Sequence, residues 1–341
     1  MAGKYLLGEM PKGCRICMRG GKLTLFVTGL CVNRCFYCPV SMDRRRDVCY
    51  ANERVVETID DIVEEARLMD AEGTGITGGE PLLVFDRVKT YINLLKDAFG
   101  SSHHIHLYTT ELSNRIVELV DMGLDEVRYH PVNLNIGKVD KSIVKRIREN
   151  ADIGIEIPSI PGRYNDMAKL VLAARDLGFQ FMNINELEFS EANYKQLKLM
   201  GLRIRRGHIA AVDGSMDEAL RIVRWASREV KDISIHICPS SFKDRYQYRL
   251  RLIKTARNIA KPYEKINSDG TITKLVVEVR NPKQIIKKTK IPRNMYEISG
   301  DVFETSVRYI DRLINIKGVK MYRYTYLPTY DRKILKIDEI T

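Results

Sequence analysis

Glutamine is scarce in this chain: Gln180, Gln196, Gln247 and Gln284 are all there is in 341 residues, and tryptophan occurs once. No apolar run approaches the roughly 18 residues needed to cross a bilayer, which argues against a membrane-spanning helix. Met1 to Lys12 lack the apolar run and cleavage site of a secretory signal, so a soluble, cytoplasmic protein with no membrane partner is expected. There is no low-complexity tract, and no internal repeat beyond a strand–helix rhythm. Few glutamines beside many Lys, Arg, Glu and Ile is a composition that thermophilic proteins favour.

What is present begins with a hydrophobic fraction of 44%, enough for a sizeable core and against general disorder. The length suits one large domain and a smaller one. The net charge of +12 is lopsided. From Ser240 to Thr341 lie 23 of the 56 basic residues but only 11 of the 44 acidic ones, leaving 33 of each sign elsewhere. A neutral body with a basic appendage points to an anionic partner.

From Leu23 to about Ser240, short apolar runs alternate with amphipathic stretches. Strands are expected at Leu23–Thr28, Gly75–Thr77, Ile105–Thr109, Glu126–Pro131, Gly154–Ser159 and Met182–Leu187. Helices are expected at Thr58–Met69 (capped by Thr58, stopped by Gly73), Val84–Phe99, Leu112–Met122, Asp140–Asn150 and Asn165–Leu177. Another, Ala219–Val230, follows a capping box of Ser215 and Glu218. This alternation implies βαβ units around a parallel sheet, about six units and short of a closed eight-fold barrel. The fold class is therefore α/β, a partial (β/α)6 TIM-type barrel, plus a smaller basic α+β C-terminal domain. Residues 1–22 form an N-terminal segment, 23–240 the barrel and 241–341 the basic domain. In the last, Phe242–Ala260 and Phe303–Ile316 read as helices, and Thr271–Arg280 and Val319–Leu327 as strands.

Seven cysteines is an odd number, and three crowd into eight residues. In a cytoplasmic protein that favours metal or cluster binding over disulfides. Cys31-Val-Asn-Arg-Cys35-Phe-Tyr-Cys38 follows the first strand. Three thiolates so spaced can hold three irons of a cubane and leave the fourth open. A zinc knuckle, with Cys49 as fourth ligand, is the competing reading. At the end of the second strand stands Ile76-Thr77-Gly78-Gly79-Glu80-Pro81, where glycines let backbone approach a ligand and Glu80 can accept a charge-assisted hydrogen bond.

Together these motifs resemble the radical S-adenosylmethionine (SAM) superfamily over residues 23 to about 240, and their order resembles archaeal-type relatives of pyruvate formate-lyase-activating enzyme. The resemblance implies a [4Fe–4S] cluster on Cys31, Cys35 and Cys38, whose open iron chelates the amine and carboxylate of SAM. One-electron reduction by a donor such as ferredoxin or flavodoxin would then cleave SAM to methionine and a 5′-deoxyadenosyl radical. It implies SAM contacts from Gly78, Gly79, Glu80 and Pro81, with Tyr37 packing the loop. Polar strand ends at Thr109–Glu111, Tyr129–Pro131, Glu156–Pro161 and Asn183–Glu186 are expected to line the cavity, above all Thr109, Glu111, Asn185 and Glu186.

Cys14 and Cys17 form a CxxC that, with Cys49 and Cys238, could supply a second metal or cluster site; a redox pair and two unligated thiols are the alternatives. Cys238 reads as a buried strand cysteine. His103, His104 and His106 enter the third strand, with His104 and His106 on one face, and read as satisfied histidines rather than a metal site. The basic runs are Lys243, Arg245, Arg249, Arg251, Lys254 and Arg257, then Lys283, Lys287, Lys288, Lys290 and Arg293. With the alternating Tyr322, Tyr324 and Tyr326 they suit RNA. The function expected first is radical SAM modification of RNA, plausibly tRNA. The alternatives are an enzyme acting on a protein substrate and a non-enzymatic, metal-containing RNA-binding protein.

Overall fold

A computed structural model describes residues 5–340. Ten strands form the first sheet: β1 (Leu6–Leu7), β2 (Lys22–Phe26), β3 (Tyr50–Ala51), β4 (Arg54–Val55), β5 (Gly73–Thr77), β6 (His104–Thr109), β7 (Glu126–Tyr129), β8 (Asp152–Ser159), β9 (Phe181–Glu186) and β10 (Ser234–Cys238). Their order is β1-β10-β9-β8-β7-β6-β5-β2-β3-β4. The run from β10 to β2 is parallel throughout, while β1 on β10 and β3 on β2 are antiparallel. This is the partial βα barrel expected, with a seventh parallel strand, β10, beyond the six counted. Helices connect the strands at Asp60–Leu68, Phe85–Phe99, Asn114–Asp121, Lys141–Ile147, Tyr164–Leu177 and Ser215–Glu229.

Alternation along each strand sorts its side chains. On β6, Ile105 and Leu107 face the helices and are fully buried, while His104, His106 and Tyr108 face the other way. Register carries that inner face across the sheet: His106 pairs Glu126, Tyr108 pairs Arg128, Glu156 pairs Asn183, and Asn183 pairs His236. The inner face is therefore largely polar. A short helix, α1 (Lys12–Met18), contributes to it: Arg128 Nη2 and Asn183 Nδ2 donate to Cys14 Sγ at 3.3 and 3.1 Å.

Two local expectations change. The Asp60–Leu68 helix is stopped by Asp70, in left-handed backbone at φ 47°, while Gly73 starts β5. Ser215 and Glu218 do not cap each other. Ser215 Oγ donates to Ser159 O and accepts from Leu187 N, and Glu218 accepts from the main chain of Gly162 and Tyr164. They bind the ends of β8 and β9 to the following helices.

The chain divides into two units: residues up to Ala66 with Ala71–Gln247, and Arg67–Asp70 with the chain from Tyr248. The boundary thus falls later than residue 240, because Lys243 is ion-paired to Glu188 of the barrel. It falls inside the expected Phe242–Ala260 helix, which is helical throughout, a π-helical stretch at Lys243–Tyr248 running into the α-helix Arg249–Ile259. The N-terminal segment belongs to the first unit through β1 and α1.

The second unit is an antiparallel sheet of β11 (Lys265–Ile266), β12 (Ile272–Glu278), β13 (Tyr296–Ser299), β14 (Val302–Thr305), β15 (Lys320–Tyr326) and β16 (Ile334–Glu339). Its core gathers Tyr263, Leu275, Val277, Phe303, Leu313 and Met321. The expected Phe303–Ile316 helix is corrected. Phe303 and Thr305 are fully buried while their neighbours are not, the two-residue period of a strand, and Gly300 at φ 60° turns β13 into β14. Only Ile310–Leu313 is α-helical there.

Candidate active site

The chain leaving β2 runs on beside the end of β5. Val27 N donates to Thr77 O at 2.9 Å, Gly79 N to Thr28 O at 2.7 Å and Glu80 N to Leu30 O at 2.7 Å. This ladder sets the Gly78–Pro81 turn directly against the cysteine loop. A Cβ at Gly78 would collide with the Thr28 carbonyl, and one at Gly79 with that of Leu30, so the approach requires glycine at both. Thr28 Oγ1 donates to Asp47, which Arg87 holds through two hydrogen bonds, and Arg87 also donates to Val27 O. The base of the loop is thereby clamped.

Cys31, Cys35 and Cys38 all line one cavity of about 840 Å³, together with Gly78 and Gly79. Their thiols are free, and Cys31 is exposed. Three open thiols on one glycine-bounded loop, facing a space of that size, fit a cubane held at three corners. Asn33 ties the loop to the end of β6 through Thr110 Oγ1 at 2.9 Å. Tyr37 is buried behind the loop, edge-on to Phe36 with ring centroids 4.8 Å apart. His130 places Nδ1 2.8 Å from the Glu156 carbonyl, which makes Nδ1 the donor, and Tyr37 Oη then donates to Nε2 at 2.8 Å. Burial lowers the His130 pKa and so favours this neutral ring.

The opposite wall carries Glu156, Asn185, Glu186, Glu188 and Lys243. Burial pushes the Glu156 pKa up, but the Arg128 guanidinium and the amides of Asn183 and Asn185 outweigh it, holding the carboxyl below its ordinary value. Burial opposes the charge on Lys243; Glu188, 2.6 Å away, outweighs that and raises its pKa. Glu186 accepts from Ser240 N and Oγ, and its other oxygen lies 2.9 Å from Arg205.

Of the residues expected at the site, Cys31, Cys35, Cys38, Tyr37, Gly78, Gly79, Asn185 and Glu186 line the cavity, whereas Glu80, Pro81, Thr109 and Glu111 do not. Glu80 is the instructive correction. Its carboxylate accepts from Thr109 Oγ1 at 2.7 Å, Leu82 N at 3.1 Å, and Thr110 N and Oγ1 at 2.7 Å each. Both oxygens are committed to protein donors, so Glu80 fixes the turn from beneath. Thr109 serves Glu80, and Glu111 accepts from Ser113. Asn33, Glu188 and Lys243 were not expected at the cavity. Lys243 follows the end of β10, so the strand-end rule that found Asn185 would have reached it had β10 been counted.

Of the four remaining cysteines, Cys14 and Cys17 both act electrostatically on Cys238, while Cys49 stands against Tyr91. Cys14 is buried against Arg128 and Asn183. Cys49 accepts from Tyr91 Oη at 3.7 Å, and burial pushes the Cys238 pKa up to about 12.

A parallel βα partial barrel that presents three free thiols beside a double-glycine turn has the make-up of an enzyme using a site-open iron–sulfur cluster. The chain belongs to the radical SAM superfamily, whose family model matches residues 25–179. It is 40% identical over 304 residues to a Methanocaldococcus jannaschii protein provisionally described as a glycyl-radical enzyme activating enzyme, covering 84% of this chain and 80% of that one. Among solved structures, Streptococcus suis SuiB matches with a TM-score of 0.44 at 12% identity, covering 64% of this chain and 49% of its own. HydG from Carboxydothermus hydrogenoformans matches with a TM-score of 0.38 at 16% identity, covering 60% and 50%. The chain spans about half the length of those two proteins.

Proposed function

We propose that this radical SAM enzyme acts on a protein substrate, as an activating enzyme that places a radical on, or modifies, a polypeptide. The observation that supports the reading is the 40% identity, over most of both chains, to the M. jannaschii protein provisionally described as activating a glycyl-radical enzyme. A [4Fe–4S] cluster on Cys31, Cys35 and Cys38 with bound SAM would supply one-electron reductive cleavage of a carbon–sulfur bond. The chain's own role is to hold and orient. Gly78 and Gly79 would let main chain reach the ligand, and Glu80 holds the turn that would carry it. Asn33 and Thr110 fix the loop to β6. The Tyr37–His130 hydrogen bond would fix the wall of the cavity beside the loop. Lys243, Glu156 and Asn185 line the wall that substrate would meet.

The RNA reading loses ground. Tyr326 is buried and donates to Glu264, so only Tyr322 and Tyr324 of the tyrosine face remain partly open, and the Arg245 side chain lies outside the described residues. Lys283, Lys287, Lys288 and Lys290 are exposed and read equally well as a solvated face. The test is anaerobic reconstitution followed by dithionite and SAM. Release of 5′-deoxyadenosine is expected, is lost in the Cys31→Ala, Cys35→Ala, Cys38→Ala protein, and rises with an extract of the source cells. Stimulation that survives ribonuclease and disappears on proteolysis of the extract supports the protein substrate; the reverse pattern overturns it.

A further inference from the structure

The inner face of the barrel holds a second group of ligating side chains that the cysteine loop does not use. His104 and His106 leave the same face of β6, and Glu126 is the register partner of His106 on β7. Their relative exposures are 2%, 1% and 0%. One potential ligand atom from each lies within 4.8 Å of the others. Nδ1 of His104 and both ring nitrogens of His106 have no hydrogen-bond partner. Buried polar atoms are normally paired, and three left unpaired in one place call for an occupant.

Glycine main chain flanks the His106 ring on both sides. A Cβ on Gly13 would stand 2.8 Å from His106 Nδ1, and one on Gly75 2.7 Å from His106 Nε2. Glycine at both positions keeps both nitrogens of the ring open. Glu126 meets Arg128 Nε and Nη2 at one oxygen, both at 2.6 Å, while Gly13 N and His104 Nε2 approach the other at 3.0 and 3.2 Å; a metal would take the place of the long His104 contact, which no other group at Glu126 needs. Such outer partners position a ligating carboxylate. The charge of Arg128 is shared with Glu156 at 3.0 Å, so it does not fall on this group alone. His103 stands apart, since its Nε2 is bonded to Thr74 Oγ1 at 2.8 Å.

We propose that His104, His106 and Glu126 bind a single divalent transition-metal ion, separate from the cluster loop and from Cys14 and Cys17. Two imidazoles and one carboxylate suit zinc or ferrous iron rather than calcium or magnesium, which take oxygen ligands. Bound there, the ion would fasten β6 to β7, and through the Gly13–Glu126 bond it would fasten α1 to the barrel.

The test uses the full chain with Cys31, Cys35 and Cys38 replaced by alanine, which removes cluster iron. After loading with zinc and dialysis, about one zinc per chain is expected, with an X-ray absorption shell of nitrogen and oxygen at about 2.0–2.1 Å. The added changes His104→Ala and His106→Ala should lower bound zinc at least tenfold. Zinc that fails to bind overturns the proposal, as does zinc retained by the double variant. A shell dominated by sulfur at about 2.3 Å also overturns it, and places the metal on cysteines instead. Should the double variant not fold, the absorption shell of the parent decides.

Discussion

At the scale of single residues, Glu80 and the buried histidines carry the clearest consequences. A carboxylate that accepts four hydrogen bonds inside the protein is a structural element before it is a ligand. Glu80→Gln replaces one acceptor oxygen with a donor facing Thr109 or Thr110. Because hydrogen bonds to charged groups contribute about 1.5–3 kcal/mol each, the cluster-free protein should lose on the order of 2 kcal/mol, read as a lower urea midpoint at unchanged slope. An unchanged midpoint accompanied by weakened SAM binding would instead make Glu80 a direct ligand. His236 and His103 are buried and held neutral, with pKa values lowered to about 4 from an ordinary 6.5. Between those values the unfolded chain binds protons that the folded chain refuses. Stability is therefore full above pH 6.5 and falls as pH drops toward 4, by on the order of 2–3 kcal/mol per histidine. Urea midpoints of cluster-free protein at pH 7 and pH 4.5 should show the loss, and His236→Asn should flatten it. Equal slopes in the two proteins would exclude His236 as a contributor.

Elements explain what was legible from sequence. The parallel strands and their helices could be placed because each has its own periodicity and its own capping or turn signal. The cysteine loop and the double-glycine turn were legible because spacing fixes where their atoms can go. What escaped depended on partners remote in sequence. Glu80 is buried by Thr109 and Thr110 of a neighbouring strand. Ser215 and Glu218, a capping box by local pattern, were recruited by Ser159 and Gly162. Phe303–Thr305 was hidden because a short strand beside a helical turn shares its apolar spacing. The ladder between Val27–Leu30 and Thr77–Glu80 is the element on which the site depends. Gly79→Ala would drive a methyl into the Leu30 carbonyl and break the hydrogen bonds that Gly79 N and Glu80 N donate. Reconstituted iron should fall several-fold while far-UV circular dichroism stays as it was. Full iron loading in this variant would show that the loop holds its cluster without the turn.

For the molecule as a whole, the division into two units bears on how it unfolds. Each unit has its own sheet, and the second has its own apolar core. The chain's one tryptophan, Trp225, lies in the helix Ser215–Glu229 of the first unit. Its fluorescence reports that unit alone, whereas far-UV circular dichroism reports both. The two probes should give separate urea midpoints, and coincident midpoints would mean that the units unfold together. The first unit's sheet has a further property at its ends. Open sheets commonly expose rows of unpaired amides to other chains. Here the outermost parallel strands, β10 and β2, are each overlaid by a short antiparallel segment of the same chain, two residues long. The sheet thus stays open while each end finishes in a segment only two residues long, too short to serve other chains as a template for aggregation.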